Sequence, residues 1–128
     1  MDDLTLGQLR RVNVARCEEV FHPLMSWTPN DWATALAGET GELCNLLKKL
    51  RRGDQPSMAD IEDEVADVLI YLDLLAARLG IDVAKAVTRK FNRVSNARGS
   101  AYVLGRDPTA GIDAYADVIT PPAHRGLE

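Results

Sequence analysis

The apolar positions of this chain recur at helical rather than alternating spacing, and four helices follow from that period and its punctuation. The first is predicted from about Leu6 to Phe21, with Thr5 as N-cap, Gln8 as its capping-box partner, and a sparse apolar set of Leu9, Val12, Val20 and Phe21. The second begins at Thr28, with Pro29 at the first helical position and Asp31 completing a T-x-x-D box, and Gly53 stops it. Its stripe is Trp32, Ala35, Leu36, Leu43, Leu46, Leu47 and Leu50. A third helix starts at Ser57, stops at Gly80, and is expected to bury Ile61, Val65, Val68, Leu69, Leu72 and Leu75. The fourth runs from Asp82 as N-cap to about Arg98, with Val83, Val87, Phe91 and Val94 on its apolar face and Gly99 after it. No segment reads as a strand and none repeats. The expected architecture is all-α, with a helical domain over residues 1–99. A largely irregular tail, residues 100–128, would pack on that domain or on a neighbouring subunit.

Four carboxylates break this pattern. On a wheel of ~100° per residue, Glu39 falls within about 20° of Trp32, Leu46 and Leu50, near the middle of the apolar stripe, and Glu42 lies about 60° round, at its edge. On the third helix Glu64 and Asp67 have the same i, i+3 spacing and flank the Ile61–Val65–Val68–Leu72 face. Acids on helices usually pair with Lys or Arg three or four residues away. None of these four has such a neighbour. An unpaired carboxylate at an apolar seam costs several kcal/mol, and a divalent cation offsets that cost directly, since hard oxygen donors suit Mg²⁺ and Mn²⁺. Protonated or interhelically paired carboxylates are the bland alternative. A di-iron site would want Glu-x-x-His pairs, which His22 and His124 do not supply. Glu62, Asp63 and Asp73 are expected to face solvent. Lys90 falls on or beside the stripe of the fourth helix, with Arg93 one turn on, and suits phosphate oxygens as a point charge. A lysine that snorkels along the core edge is the competing reading.

Composition narrows the classes. The 128 residues carry 46% hydrophobic and 27% charged side chains and a net charge of −4, an ordinary folded balance without a basic face for nucleic acid. The densest basic run, Lys48, Lys49, Arg51 and Arg52, closes the second helix, where it offsets the macrodipole. Cys17 and Cys44 lie within helical patterns, so buried, reduced thiols are expected. With no signal pattern and no apolar run long enough for a bilayer, the expected compartment is the cytoplasm and no membrane partner is expected.

Glu39-Thr-Gly-Glu42, then 21 residues, then Glu64-Val-Ala-Asp67 resembles the E-x-x-E…E-x-x-D signature of the MazG-like all-α nucleoside triphosphate pyrophosphohydrolases. The flanking words A-L-A-G-E-T-G-E-L at 35–43, K-K-L-R-R-G-D at 48–54, E-D-E-V-A-D-V-L-I-Y-L-D at 62–73 and K-F-N-R-V-S at 90–95 extend it over roughly residues 20–100. The resemblance implies a four-helix MazG-like bundle assembled as a homodimer or a dimer of dimers. It implies two or more Mg²⁺ or Mn²⁺ ions on Glu39, Glu42, Glu64 and Asp67, and cleavage of a nucleoside triphosphate between the α and β phosphates. Tyr71 and Lys90 would face the substrate, with Arg93 and Lys49 as further cations. Glu39 or Glu42 would take the proton of the attacking water. Where members related to dCTP pyrophosphatase carry an Asn one turn after the lysine, this chain has Val94, with Asn92 and Asn96 nearby. Trp27 and Trp32 are the stacking candidates for the base and His22 and Asn30 the edge candidates, with core packing the competing role of Trp32. A guanine nucleotide such as dGTP or GTP is the first expectation. Pyrimidine deoxynucleotides (dUTPase- or dCTPase-type activity) and a non-catalytic metal- or partner-binding bundle are the alternatives.

Overall fold

A computed structural model describes residues 2–105, and the tail expected beyond Gly105 lies outside the described residues. The chain divides into two compact units, Met1–Val83 and Ala84–Glu128. Its order is α1 (Leu6–Arg16), a π-helical turn (Cys17–Phe21), a 3₁₀ turn (Leu24–Ser26), α2 (Pro29–Arg51), α3 (Met58–Arg78) and α4 (Val83–Arg98), with no strand among the described residues. The all-α expectation stands.

The helix starts follow the local chemistry. Thr5 accepts from the Gln8 N–H at 3.1 Å while the Gln8 side chain accepts from the Thr5 N–H at 2.8 Å. Thr28 and Asp31 form the same reciprocal box at the head of α2, and Ser57 caps α3 through the Asp60 N–H. At the end of α3, Gly80 adopts φ +70°, which lets the Ile81 N–H reach back to the Ala76 carbonyl at 2.8 Å. A Cβ there would be strained, so the stop is glycine's.

In the first unit α2 and α3 form an antiparallel hairpin, with Trp32 beside Tyr71 and Leu74 at one end and Glu39 beside Glu64 and Asp67 at mid-length. Its core is Cys17, Leu24, Trp32 and Leu74, flanked by Val14, Trp27, Tyr71, Leu75 and Ala77. α1 docks on α3 through polar groups. Arg10 Nε donates to Asp73 Oδ1 at 2.9 Å, Arg10 also donates to the Ile81 carbonyl at 2.8 Å, and the Asn13 amide donates to Ile70 and Asp73.

Three expectations need correction. Asp73 is 2% exposed, not solvent-facing, because it accepts from both Arg10 and Asn13. Val65, Leu69 and Leu72 are exposed in the single chain, as are Leu47, Val12, Val20 and Phe21, so these apolar faces are not covered by this unit's own helices. The α3 side turned inward instead carries Ile61, Asp73, Leu74 and Ala76. Cys44 is exposed, whereas Cys17 is buried as expected, its thiol shifted upward mainly by burial.

In the second unit, α4 leaves Val87, Phe91 and Val94 exposed along a groove of about 690 Å³ that also includes Lys90 and Arg98. The chain then returns past Asn92, whose amide exchanges two hydrogen bonds with the backbone of Leu104, at 2.7 and 2.9 Å.

Asp73→Ala strands Arg10 and the Asn13 amide together. It is expected to cost about 3 kcal/mol, the scale for breaking a buried charge pair, measured as a lower midpoint in chemical denaturation. A surface control such as Glu62→Ala is expected to stay within about 0.5 kcal/mol of wild type.

Candidate active site

Helix period brings the acids together. Glu39 on α2 and Glu64 and Asp67 on α3 each offer a carboxylate oxygen, and the three oxygens lie within 4.8 Å of one another. Glu42, one turn after Glu39, is more exposed but adjoins both glutamates, and its charge acts on each. The Glu39 carboxyl is pushed above the ordinary carboxylate range, first by burial and then by the charges of Glu42, Asp67 and Glu64. Glu64 shifts the same way, again by burial first and then by Glu42. Its Oε2 is buried without any hydrogen-bond partner. Neither the Arg10–Asp73 nor the Arg52–Asp54 ion pair involves any of these acids. An orphaned carboxylate oxygen inside an all-oxygen donor set fits a hard divalent cation, and Glu39, Glu64 and Asp67 could hold one.

Beside the acids lies a cavity of about 310 Å³ whose wall includes Asp67 and Tyr71. Aromatic rings frame it. His22 and Trp27 have centroids 4.3 Å apart, Trp27 and Trp32 4.6 Å, and Trp32 and Tyr71 6.4 Å. The π-turn directs this cluster, since the His22 N–H bonds five residues back to the Cys17 carbonyl and ends the helix at the cavity mouth. Arg78 donates to the Trp27 carbonyl at 2.7 Å and ties the connecting segment to α3. The Tyr71 phenol is pushed up by burial and by Glu39 and Asp67, so it keeps its proton and remains a donor.

The expected site residues fall into groups. Glu39, Glu64 and Asp67 converge, with Glu42 at the rim, and Tyr71, Trp27, Trp32 and His22 share the cavity. Trp32 is also a core residue, 2% exposed, with its indole N–H committed to the Leu24 carbonyl at 3.2 Å. Asn30 is exposed on the first turn of α2, outside the cavity wall. Lys49 is half-buried near the end of α2, and Lys90 and Arg93 are exposed on α4 in the second unit. Sequence reasoning missed Asn13, Arg16 and Cys17, which also line the cavity together with the apolar Phe21, Ile70 and Leu74. A signal was present for two of them. Asn13 and Cys17 continue the line begun by Leu6 and Leu9 at i+3 and i+4 spacing, so α1 turns a polar residue inward.

An all-α hairpin with clustered acids across its seam and an aromatic cavity at their side defines a class of helical, carboxylate-centred proteins. The family model "MazG-like family" matches residues 35–100, and the chain belongs to that family. Over 114 residues it is 37% identical to dCTP pyrophosphatase 1 of Rattus norvegicus, covering 76% of this chain and 64% of the relative. Over 99 residues it is 34% identical to dCTP pyrophosphatase 1 of Homo sapiens, covering 69% of this chain and 55% of that protein. It is 28% identical over 75 residues to the Gene 37 protein of Mycobacterium phage L5, covering 55% of this chain and 66% of the relative. The chain thus spans slightly less than two thirds of the length of the dCTP pyrophosphatases it matches. No helix among the described residues is long and apolar enough to cross a membrane.

A carboxyl with a raised folded-state pKa stays protonated where the unfolded chain has already ionised. The metal-free fold therefore gains stability from Glu39 and Glu64 at acid pH and loses it as pH climbs from the ordinary carboxylate value through the raised ones. Denaturation across that window is expected to show this decline, to flatten in Glu64→Gln, and to be reversed at neutral pH by added Mn²⁺. A Glu64→Gln protein with the wild-type pH slope would place the shift elsewhere.

Proposed function

We propose that this protein hydrolyses a deoxynucleoside triphosphate between the α and β phosphorus atoms, giving a nucleoside monophosphate and pyrophosphate. One observation carries the reading: clustered acids with an orphaned, buried oxygen share Asp67 with a cavity framed by aromatic rings tilted against one another. Mg²⁺ or Mn²⁺, two or more ions when bound, would supply charge neutralisation for the triphosphate and a lowered pKa for the attacking water. Glu39, Glu42, Glu64 and Asp67 would hold these ions. Glu39 or Glu42 receives the proton of the water as it attacks the α-phosphorus. Tyr71 donates toward the substrate, and Lys90, Arg93 and Lys49 are assigned to the phosphates. The base enters among His22, Trp27, Trp32 and Tyr71, whose ring faces offer it stacking surface.

The names of the relatives favour the dCTPase-type alternative over a guanine nucleotide. The proposed assembly is a homodimer or dimer of dimers. It is supported by Val65, Leu69 and Leu72, which repeat along one face of α3 and are 53%, 39% and 41% exposed. Gly38 and Gly41 within α2 point the same way, since each costs helix stability and neither has a heavy atom near its missing Cβ. The proposed compartment is the cytoplasm.

A pyrophosphate-release assay over the eight common nucleoside triphosphates with Mn²⁺ or Mg²⁺ tests the activity. Release of orthophosphate, or no turnover, overturns it in favour of a non-catalytic bundle. Glu42→Gln and Asp67→Asn are expected to lower kcat at least about a hundredfold with the metal-free fold intact. If both unfold, the acids are structural. Leu69→Arg is expected to give a smaller particle by light scattering; an unchanged mass would remove α3 from the interface.

A further inference from the structure

Stacked rings accept any base, so discrimination in the aromatic cavity has to come from polar atoms at its wall. Arg16, Asp67 and Tyr71 present charge or a hydroxyl there, and three other groups are committed within the protein. The Trp32 indole donates to Leu24, the Cys17 thiol donates to the His22 carbonyl at 3.2 Å, and His22 Nδ1 faces the Pro23 carbonyl at 3.1 Å. Asn13 differs. It is 4% exposed and lines the cavity, and Nδ2 donates to the Ile70 carbonyl at 3.0 Å and to Asp73 Oδ2 at 3.1 Å. Both partners only accept, so both amide hydrogens are used. Turning the amide over would set Oδ1 against two acceptors. Asp73 is held in turn by Arg10 Nε at 2.9 Å, and Arg10 by the Ile81 carbonyl at 2.8 Å. This chain of bonds fixes the polarity of its last member, and what Asn13 has left for a ligand is an acceptor oxygen.

We infer that Asn13 is a specificity-determining residue whose oriented Oδ1 accepts a hydrogen bond from the exocyclic amino group of the base, with Asp73 and Arg10 as positioning residues. The inference rests on the nucleotide reading of the cavity given above. It selects amino-bearing bases, cytosine or adenine, over their keto counterparts, uracil or hypoxanthine, because a keto oxygen would meet Oδ1 and leave two acceptors facing each other without a proton.

The test compares dCTP, dUTP and the triphosphate of 2-pyrimidinone deoxyriboside, which lacks any group at C4, on the wild-type protein with Mn²⁺. Expected is a kcat/KM for dCTP at least about tenfold above dUTP, with the pyrimidinone between them. Asn13→Ala is expected to bring dCTP and dUTP to within about twofold of each other. Asp73→Asn replaces one of the two acceptors that orient the amide with a group able to donate, which loosens the orientation that the Ile70 carbonyl alone then holds, and should shrink the ratio while Asn13 itself is unchanged. A merely structural role for Asp73 would lower both substrates equally. Equal turnover of all three substrates by wild type, or a wild-type ratio in folded Asn13→Ala, overturns the inference. Should the variants fail to fold, the three-substrate comparison still decides it. If no triphosphate is cleaved, the catalytic reading fails separately. Calorimetry of dCMP against dUMP then judges Asn13, with equal affinities counting against it.

Discussion

Mutual repulsion among carboxylates across the α2–α3 seam is the constraint around which the first unit is arranged. Three acids from two helices bring oxygens within 4.8 Å of each other, and burial together with their own charges drives two of them toward holding protons. Such a seam is unfavourable as a core, and the rest of the hairpin has to hold it closed. Trp32, Leu24, Cys17 and Leu74 do so at one end, packed under the aromatic cluster. The same ring stack that anchors the helices therefore forms the wall of the cavity next to the charge, and stability and site share residues.

Polar groups take an unusual share of the remaining work. α1 offers few apolar side chains to α3 and docks instead through Arg10 and Asn13 on a buried Asp73. Buried polar contacts of this kind demand defined partners and geometry, where apolar packing tolerates sliding. The contact thus fixes the register of α1 on α3, and with it the position of Cys17, Arg16 and His22 along the cavity.

Much of this was legible in the residues. Caps at Thr5, Thr28 and Ser57 and stops at Gly53, Gly80 and Gly99 act through neighbours three to five positions away, so helix boundaries could be read locally. The acidic cluster was legible because period alone places Glu39 among leucines and spaces Glu64 from Asp67. What period could not tell was which of two apolar faces a helix turns inward. α3 has enough apolar residues for both, and the Ile61–Leu74 side is covered within the unit while Val65, Leu69 and Leu72 are not. Asp73 was misplaced for a related reason: its partners, Arg10 and Asn13, lie some sixty residues away in the chain. The cavity wall contributed by α1 was hidden likewise, since Asn13 and Arg16 become neighbours of Trp27 and Tyr71 only through the tertiary fold.

The π-turn at Cys17–Phe21 is one residue longer per hydrogen-bonded loop than an ordinary helical turn. It works as a length adjuster between a helix registered by Asp73 and an imidazole that has to land on an indole. Removing a single residue from this stretch would close the wide turn to an ordinary helical one. Chains of this lineage that change length here would have to redraw the mouth of the cavity rather than simply shorten a loop.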